Sequence, residues 1–426
     1  MRDFKARNVT ERIVQNLADV DFYKLTMLQF IWAHFGETVV TFRFHNRTQV
    51  DLLEYIDPGE LEHQLARVTR YRFPKWAARE LRRSYGHLFR QEFVDWLVEL
   101  RLPMPTVRID PEEGLVVEAT GRWVEVMLWE TITMCIVNRL YFLAKMRELG
   151  LKESDVLEEG RARASIKFNR LGMLYPGLRF VDFGTRRRWS FRHHRALLLQ
   201  AAHEACGALA CTSNVYLGLK FGLPLVGTMA HELPMAFQGI FWKLDEGSDR
   251  LLSQKKFWQM WEKFYGGHLT VALPDTYGND FGLSDFEEFA ARWAGVRHDS
   301  GDPFEFGEKV IAFYERLKID PKQKLIVFSD GLTESLMEEL WTRFHDRIQV
   351  SFGWGTHLTN DMGCGLLPLS IVMKLVAVHL PDGTTVETVK LSDNPGKATG
   401  PTDKVERIMR KTLYDPAAYL AVECVV

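Results

Sequence analysis

Six short apolar runs recur through the latter part of this chain, and each ends in a polar, glycine-containing loop. They are LRFVDFGTRR, GLPLVGTMAHE, LTVALPDTYG, AGVRHDSGDP, KLIVFSDG and IQVSFGWGTHL; a seventh, LPLSIVMKLVAV, leads into VKLSDNPGKATG. Runs that stay apolar without alternation suit strands covered on both faces, the habit of parallel α/β sheets. The segments between them, roughly 20–45 residues each, can hold a crossover helix. Polar residues or glycines stand at the C-terminal end of each run: Asp182, His231, Asp275, Asp299, Asp330, then Gly353 and Gly355. A doubly wound sheet concentrates such groups at one switch point, whereas a barrel spreads them around its C-terminal rim. The pattern predicts an irregular (β/α) barrel over residues 131–426.

Before that point the grammar differs. ELEHQLARVTRYRF and PKWAARELRRSYG carry helical periodicity, TVVTFRFHNR alternates as a strand, and VRIDPEEGLVVEATGRW reads as a hairpin about a Pro/Gly/acid turn. The expected architecture is α/β, with an α+β N-terminal domain over residues 1–130 to which the C-terminal tail contributes.

Composition narrows the setting. A formal net charge of −2 over 426 residues removes a whole-protein case for nucleic-acid binding. The start, MRDFKARNVTERIVQNLADV, lacks the apolar region of a secretory signal, and no segment reads as long enough to span a bilayer. The cysteines Cys135, Cys206, Cys211, Cys364 and Cys424 are odd in number and lack C-x-x-C spacing. That pattern suggests free thiols in a reducing compartment, with the cytoplasm as the expected location.

The rim residues suggest chemistry. In FGTRRRWSFRHH, arginine forks follow a strand end and suit carboxylate or phosphate; a solvated basic turn is the plainer alternative. In GVRHDSGDP, Arg297 stands beside Asp299 and Asp302, either of which could ligate Mg²⁺ with a polyanion, or cap the helix FEFGEKVIAFYERL. Asp330 in FSDGL could accept hydrogen bonds from ribose hydroxyls or cap the helix that follows. In SFGWGTHLTND, Gly353 and Gly355 allow close backbone approach, and Thr356 with exposed N–H groups could cradle a phosphate. Together these groups fit a sugar phosphate carrying a further anionic group, plus a second anionic substrate. VGTMAHE ends in His231 and Glu232, either a solvated strand end or a reactive pair.

Seven motifs then carry a resemblance along nearly the whole chain: DFYKLTM, FGTRRR, TSNVYL, GTMAHE, RHDSGDP, FSDGL and KLSDNPGKATGP. The chain resembles bacterial nicotinate phosphoribosyltransferases, type II phosphoribosyltransferases of NAD salvage. The resemblance implies that nicotinate and phosphoribosyl pyrophosphate form nicotinate mononucleotide and pyrophosphate, with ATP hydrolysis coupled through phosphorylation of His231; Mg²⁺ is the expected cofactor and ATP a co-substrate. It implies an aromatic sandwich of Phe183 with Tyr23 from a partner subunit, hence a homodimer. It also brings Arg186 near nicotinate and adds Ser213 and Asn214 to the substrate pocket. A neutral Asn214 is compatible with an acid substrate, which a carboxylate there would repel. Glu232 could fix the His231 tautomer or pair with an arginine.

Three other readings compete. Nicotinamide or quinolinate could replace nicotinate. A metal-dependent barrel hydrolase would want an H-x-H pair, where this chain offers adjacent His193 and His194, which would point apart on a strand. An RNA binder could use TRRRWSFRHH, against the overall charge.

Overall fold

The computed structural model describes residues 3–419. Its strands are, in chain order, β1 (Val39–Asn46), β2 (Thr106–Asp110), β3 (Gly114–Arg122), β4 (Phe180–Asp182), β5 (Leu209–Thr212) and β6 (Val271–Ala272). They continue with β7 (Gly295–His298), β8 (Leu325–Phe328), β9 (Gln349–Trp354), β10 (Ile371–His379) and β11 (Thr385–Glu387). Two sheets result, ordered β11-β10-β1-β3-β2 and β5-β4-β9-β8-β7-β6.

The first sheet is antiparallel. β1 buries Val40, Phe42 and Phe44 and leaves the residues between them partly open, as its period-two sequence demands. β2 and β3 form the expected hairpin, closed where Asp110 pairs with Gly114 at φ 73. The helices Pro58–Thr69 and Lys75–Tyr85 fall where their periodicity predicted.

The second sheet is wholly parallel, and its strands are short and mostly buried. It is the irregular (β/α) barrel that the repeated runs implied. Two runs differ from expectation. GLPLVGTMAHE makes one parallel bridge, Leu225 to Thr212, and then leaves the sheet. Gly227 is pressed against the helix Phe22–His34, where a Cβ would lie 2.7 Å from the Tyr23 nitrogen, so packing against a helix replaces strand pairing. The seventh run is β10. Only alternate residues of most of it are deeply buried, and it pairs antiparallel with β1, from Val39–His379 to Asn46–Ile371. The C-terminal part of the chain thus returns to the first sheet.

Other expectations need correction. His193 and His194 lie on the helix Phe191–Glu204, not on a strand. Trp123–Leu149 is long and apolar enough to cross a membrane, contrary to the sequence reading, but 94% of its apolar stretch is buried inside the protein as a core element. Cys135, Cys206, Cys211 and Cys364 are free, while Cys424 lies outside the described residues. Beside the main core, a satellite cluster of Leu251, Tyr277, Phe281, Val389, Leu391 and Ile408 seats the turn Pro274–Tyr277 beneath the helix Thr402–Thr412.

Candidate active site

The C-terminal ends of β4, β7, β8 and β9 open into one cavity, completed by the helix of Tyr23, the loop before Glu232 and the face of β10. Tyr23, Phe183, Arg186, His231, Arg297 and Asp299 line it, as do Asp330, Gly353, Gly355 and Thr356. Ser213 and Asn214 do not. Ser213 donates to Asp21 Oδ1 at 2.7 Å. Asn214 caps the helix Val215–Phe221 and donates to Asp19. Both brace the cavity wall from behind, because their side chains are consumed by local capping and buried acids.

His231 is fixed at both ring nitrogens. Nδ1 lies 3.0 Å from Thr276 Oγ1, and Nε2 lies 2.9 Å from Asp299 Oδ2. Burial pushes the imidazole below its ordinary pKa and nearby Lys390 adds to this, against Asp275 and Asp299. Burial alone would raise Asp299, but the Arg297 guanidinium and the histidine hold it well below the usual carboxylate range. An ionised Asp299 only accepts, which assigns the proton to Nε2 and a lone pair to Nδ1. Among the described residues, Glu232 pairs with neither His231 nor an arginine. It opens the helix Glu232–Ile240 and pairs with Lys24, while Trp123 Nε1 donates to its other oxygen.

The three consecutive arginines separate into different roles. Arg186 lines the cavity and donates to Glu130. Arg187 also lines it and donates to the Ile371 carbonyl. Arg188 is buried in a two-bond pair with Asp19. Opposite them, the Arg297 guanidinium lies 5.7 Å from the centroid of Phe183 and bonds Asp299, Ser329 and Thr228. Tyr23 lines the same cavity as Phe183. Gly353 serves that ring: a Cβ there would meet Phe183 at 2.4 Å. Gly353 lines the cavity and also makes room for an aromatic ring.

Residues 178–417 match the nicotinate phosphoribosyltransferase (NAPRTase) family, and residues 18–138 match the NAPRTase N-terminal domain. The chain belongs to the nicotinate phosphoribosyltransferase family. Its structure is similar to that of nicotinate phosphoribosyltransferase from Porphyromonas gingivalis, at 31% identity and a TM-score of 0.84, covering 94% of this chain and 100% of that one. It is also similar to the enzyme from Vibrio cholerae, at 29% identity and a TM-score of 0.82, covering 96% and 97%. Membership makes the chain a phosphoribosyltransferase, a glycosyl-transferring enzyme of NAD biosynthesis.

Four basic residues of this phosphoribosyltransferase escaped the sequence reading: Arg47, Lys374, Lys390 and Lys397 also line the cavity. Lys397 pairs with Asp330 at 2.5 Å, so Asp330 is not a helix cap; Thr333 has that role. Burial, then repulsion from Lys390 and Arg47, pulls Lys374 far below an ordinary lysine. Mutually repelling cations facing one cavity suit a polyanionic ligand. Lys390 and Lys397 sat inside KLSDNPGKATGP, the one local signal available. Asp302 is an exposed cap, accepting from Phe304 and Glu305 at the start of the helix Pro303–Arg316, and is not in the cavity. A cation fits better between Asp299 and Asp275, whose donor atoms and that of His231 lie within 4.8 Å of one another. Asp275 Oδ1 is buried there without a hydrogen-bond partner among the described residues.

Proposed function

We propose that this chain condenses nicotinate with phosphoribosyl pyrophosphate, giving nicotinate mononucleotide and pyrophosphate, as the first step of NAD salvage from nicotinate. ATP hydrolysis is coupled through a phosphohistidine at His231. The observation that carries this reading is one cavity in which two aromatic rings and two guanidiniums adjoin a cluster of lysines and arginines. The first set suits a flat anionic ring, the second a pyrophosphate.

The chemistry then needs little from the protein beyond placement and charge. The pyridine nitrogen already has a lone pair, so no general base is required. It bonds to C1 of the ribose as the bond from C1 to the pyrophosphate oxygen breaks, through an oxocarbenium-like state. Arg297, Lys374, Lys390 and Lys397 stabilise the charge that gathers on the leaving group. Asp330, paired with Lys397, accepts from ribose hydroxyls in this reading. Asp275 and Asp299 would hold Mg²⁺, which when bound neutralises phosphate charge.

Coupling follows from the neutral His231. A ring lone pair attacks the γ-phosphorus of ATP, the bond to ADP breaks, and Asp299 stabilises the positive charge that develops on the ring. The added charge beside Lys390 then biases the cavity toward its substrates. The segment after the histidine, with Leu233 and Pro234, is buried, and Tyr277 Oη donates to the Pro234 carbonyl. Incubation with γ-³²P ATP tests the scheme: acid-labile label on the wild type and none on His231→Ala is expected. Equal labelling of the variant would refute the assignment.

A further inference from the structure

One buried lysine has no part in the chemistry above. The Lys24 side chain is fully buried, and its ammonium lies 2.5 Å from both Glu130 Oε2 and Glu232 Oε2. The other oxygen of Glu130 accepts from Arg186 Nη1 at 3.0 Å, and Glu130 itself reaches the cavity wall. Asp21 Oδ2 lies 4.0 Å from Arg186 Nε. No hydrogen bond among the described residues takes Arg186 Nη2, and the side chain is 35% exposed. One edge of the guanidinium is therefore gripped while the rest of the fork stays available.

Charge distribution supports a reason for the lysine. Burial pushes Asp21 and Glu232 above the ordinary carboxylate range. Burial acts the same way on Glu130, but Lys24 and Arg186 outweigh it and keep that group below the range. Among the described residues, negative charge is thus favoured on the acid that accepts a hydrogen bond from Arg186. Without Lys24, a bare carboxylate at the cavity wall would repel an anionic ring substrate. With it, Glu130 can restrain Arg186 without cancelling its attraction. Restraining a long side chain in advance removes entropy that binding would otherwise have to remove.

We propose that Glu130, its charge offset by Lys24, is a positioning residue that aims Arg186 at the carboxylate of the ring substrate and so favours the acid over its amide. The inference rests on the reading given under Proposed function.

The test is steady-state kinetics of Glu130→Gln beside the wild type, with nicotinate, nicotinamide and phosphoribosyl pyrophosphate varied separately. A glutamine offers one acceptor and one donor group, so it cannot satisfy Arg186 and Lys24 together. Loss of a charged hydrogen bond corresponds to a rise of about tenfold or more in KM for nicotinate. The KM for phosphoribosyl pyrophosphate is expected to stay within about twofold, and the preference for nicotinate over nicotinamide to fall in step with the first change. A lowered Tm with an unchanged nicotinate KM would make Glu130 merely structural and overturn the inference, as would an equal loss for both substrates. Should Glu130→Gln not fold, Glu130→Asp carries the test, because it keeps the charge but shortens the reach, and the same selective rise is expected. A wild type that makes no nicotinate mononucleotide would overturn the underlying reading, an outcome visible before any variant is compared.

Discussion

Asp299 links His231 to Arg297: its Oδ2 lies 2.9 Å from the histidine Nε2, and its Oδ1 accepts from the Arg297 Nη2 at 2.6 Å. One carboxylate thereby orients the proposed phosphoryl acceptor and holds the Arg297 guanidinium in the same cavity. Asp299→Asn should slow phosphoenzyme formation by about 10–100-fold, the worth of a charged hydrogen bond. Rapid-quench labelling with γ-³²P ATP measures it. Labelling at the wild-type rate would mean that Asp299 does not assist His231.

Gly353 and Gly355 should respond differently to alanine. A Cβ at Gly353 meets the Phe183 ring at 2.4 Å, whereas at Gly355 its nearest neighbour is the Phe183 carbonyl oxygen at 3.5 Å. Overpacking of this kind costs about 1–3 kcal/mol, so Gly353→Ala should raise the nicotinate KM by about tenfold or more. Gly355→Ala should remain near wild type. Initial rates across a nicotinate series distinguish the two, and equal effects would count against the packing role.

What was legible in the sequence follows from range. β4, β7, β8 and β9 announced themselves because burial on both faces writes continuous apolar runs, and the residues just past their ends line the cavity. β10 wrote a similar run, yet nothing local says that its partner is β1, more than three hundred residues earlier. Lys374 on β10 and Arg47 after β1 look like isolated surface cations until that pairing brings them to one cavity. Lys24 was inside a quoted motif, but its two glutamate partners lie on distant helices. Asp302 shows the reverse: its Asp-Pro spacing already allowed for a helix cap, and the structure uses it so.

Arg188 should matter for stability rather than for substrate. It makes two hydrogen bonds of 2.7 Å to Asp19 and one to the Ile13 carbonyl, wholly inside the protein. Arg188→Met leaves a buried carboxylate without its cation, a loss of about 3–5 kcal/mol. Urea denaturation should show a lowered midpoint, while the folded fraction keeps the wild-type nicotinate KM. An unchanged midpoint would contradict the pairing.

Acid should destabilise the fold through buried histidines. Burial, aided by neighbouring His194, pushes His193 down to about 3, and burial with Lys374 pushes His45 down to about 4. Unfolded, each binds a proton near pH 6.5. Below that pH the unfolded state holds more protons, so their contribution is complete above about 6.5 and shrinks as pH falls toward the folded values. Urea midpoints measured from pH 7 to pH 5 should decline, and His193→Gln should make the decline shallower. Parallel declines would exclude His193 as a contributor.

The most direct measurement is product formation by the purified protein from nicotinate and phosphoribosyl pyrophosphate with Mg²⁺, followed by chromatography with and without ATP. Nicotinate mononucleotide and pyrophosphate should appear in equal amounts, faster with ATP, and ATP should yield no such stimulation in His231→Ala. Product from nicotinamide or quinolinate but none from nicotinate would contradict the proposed function.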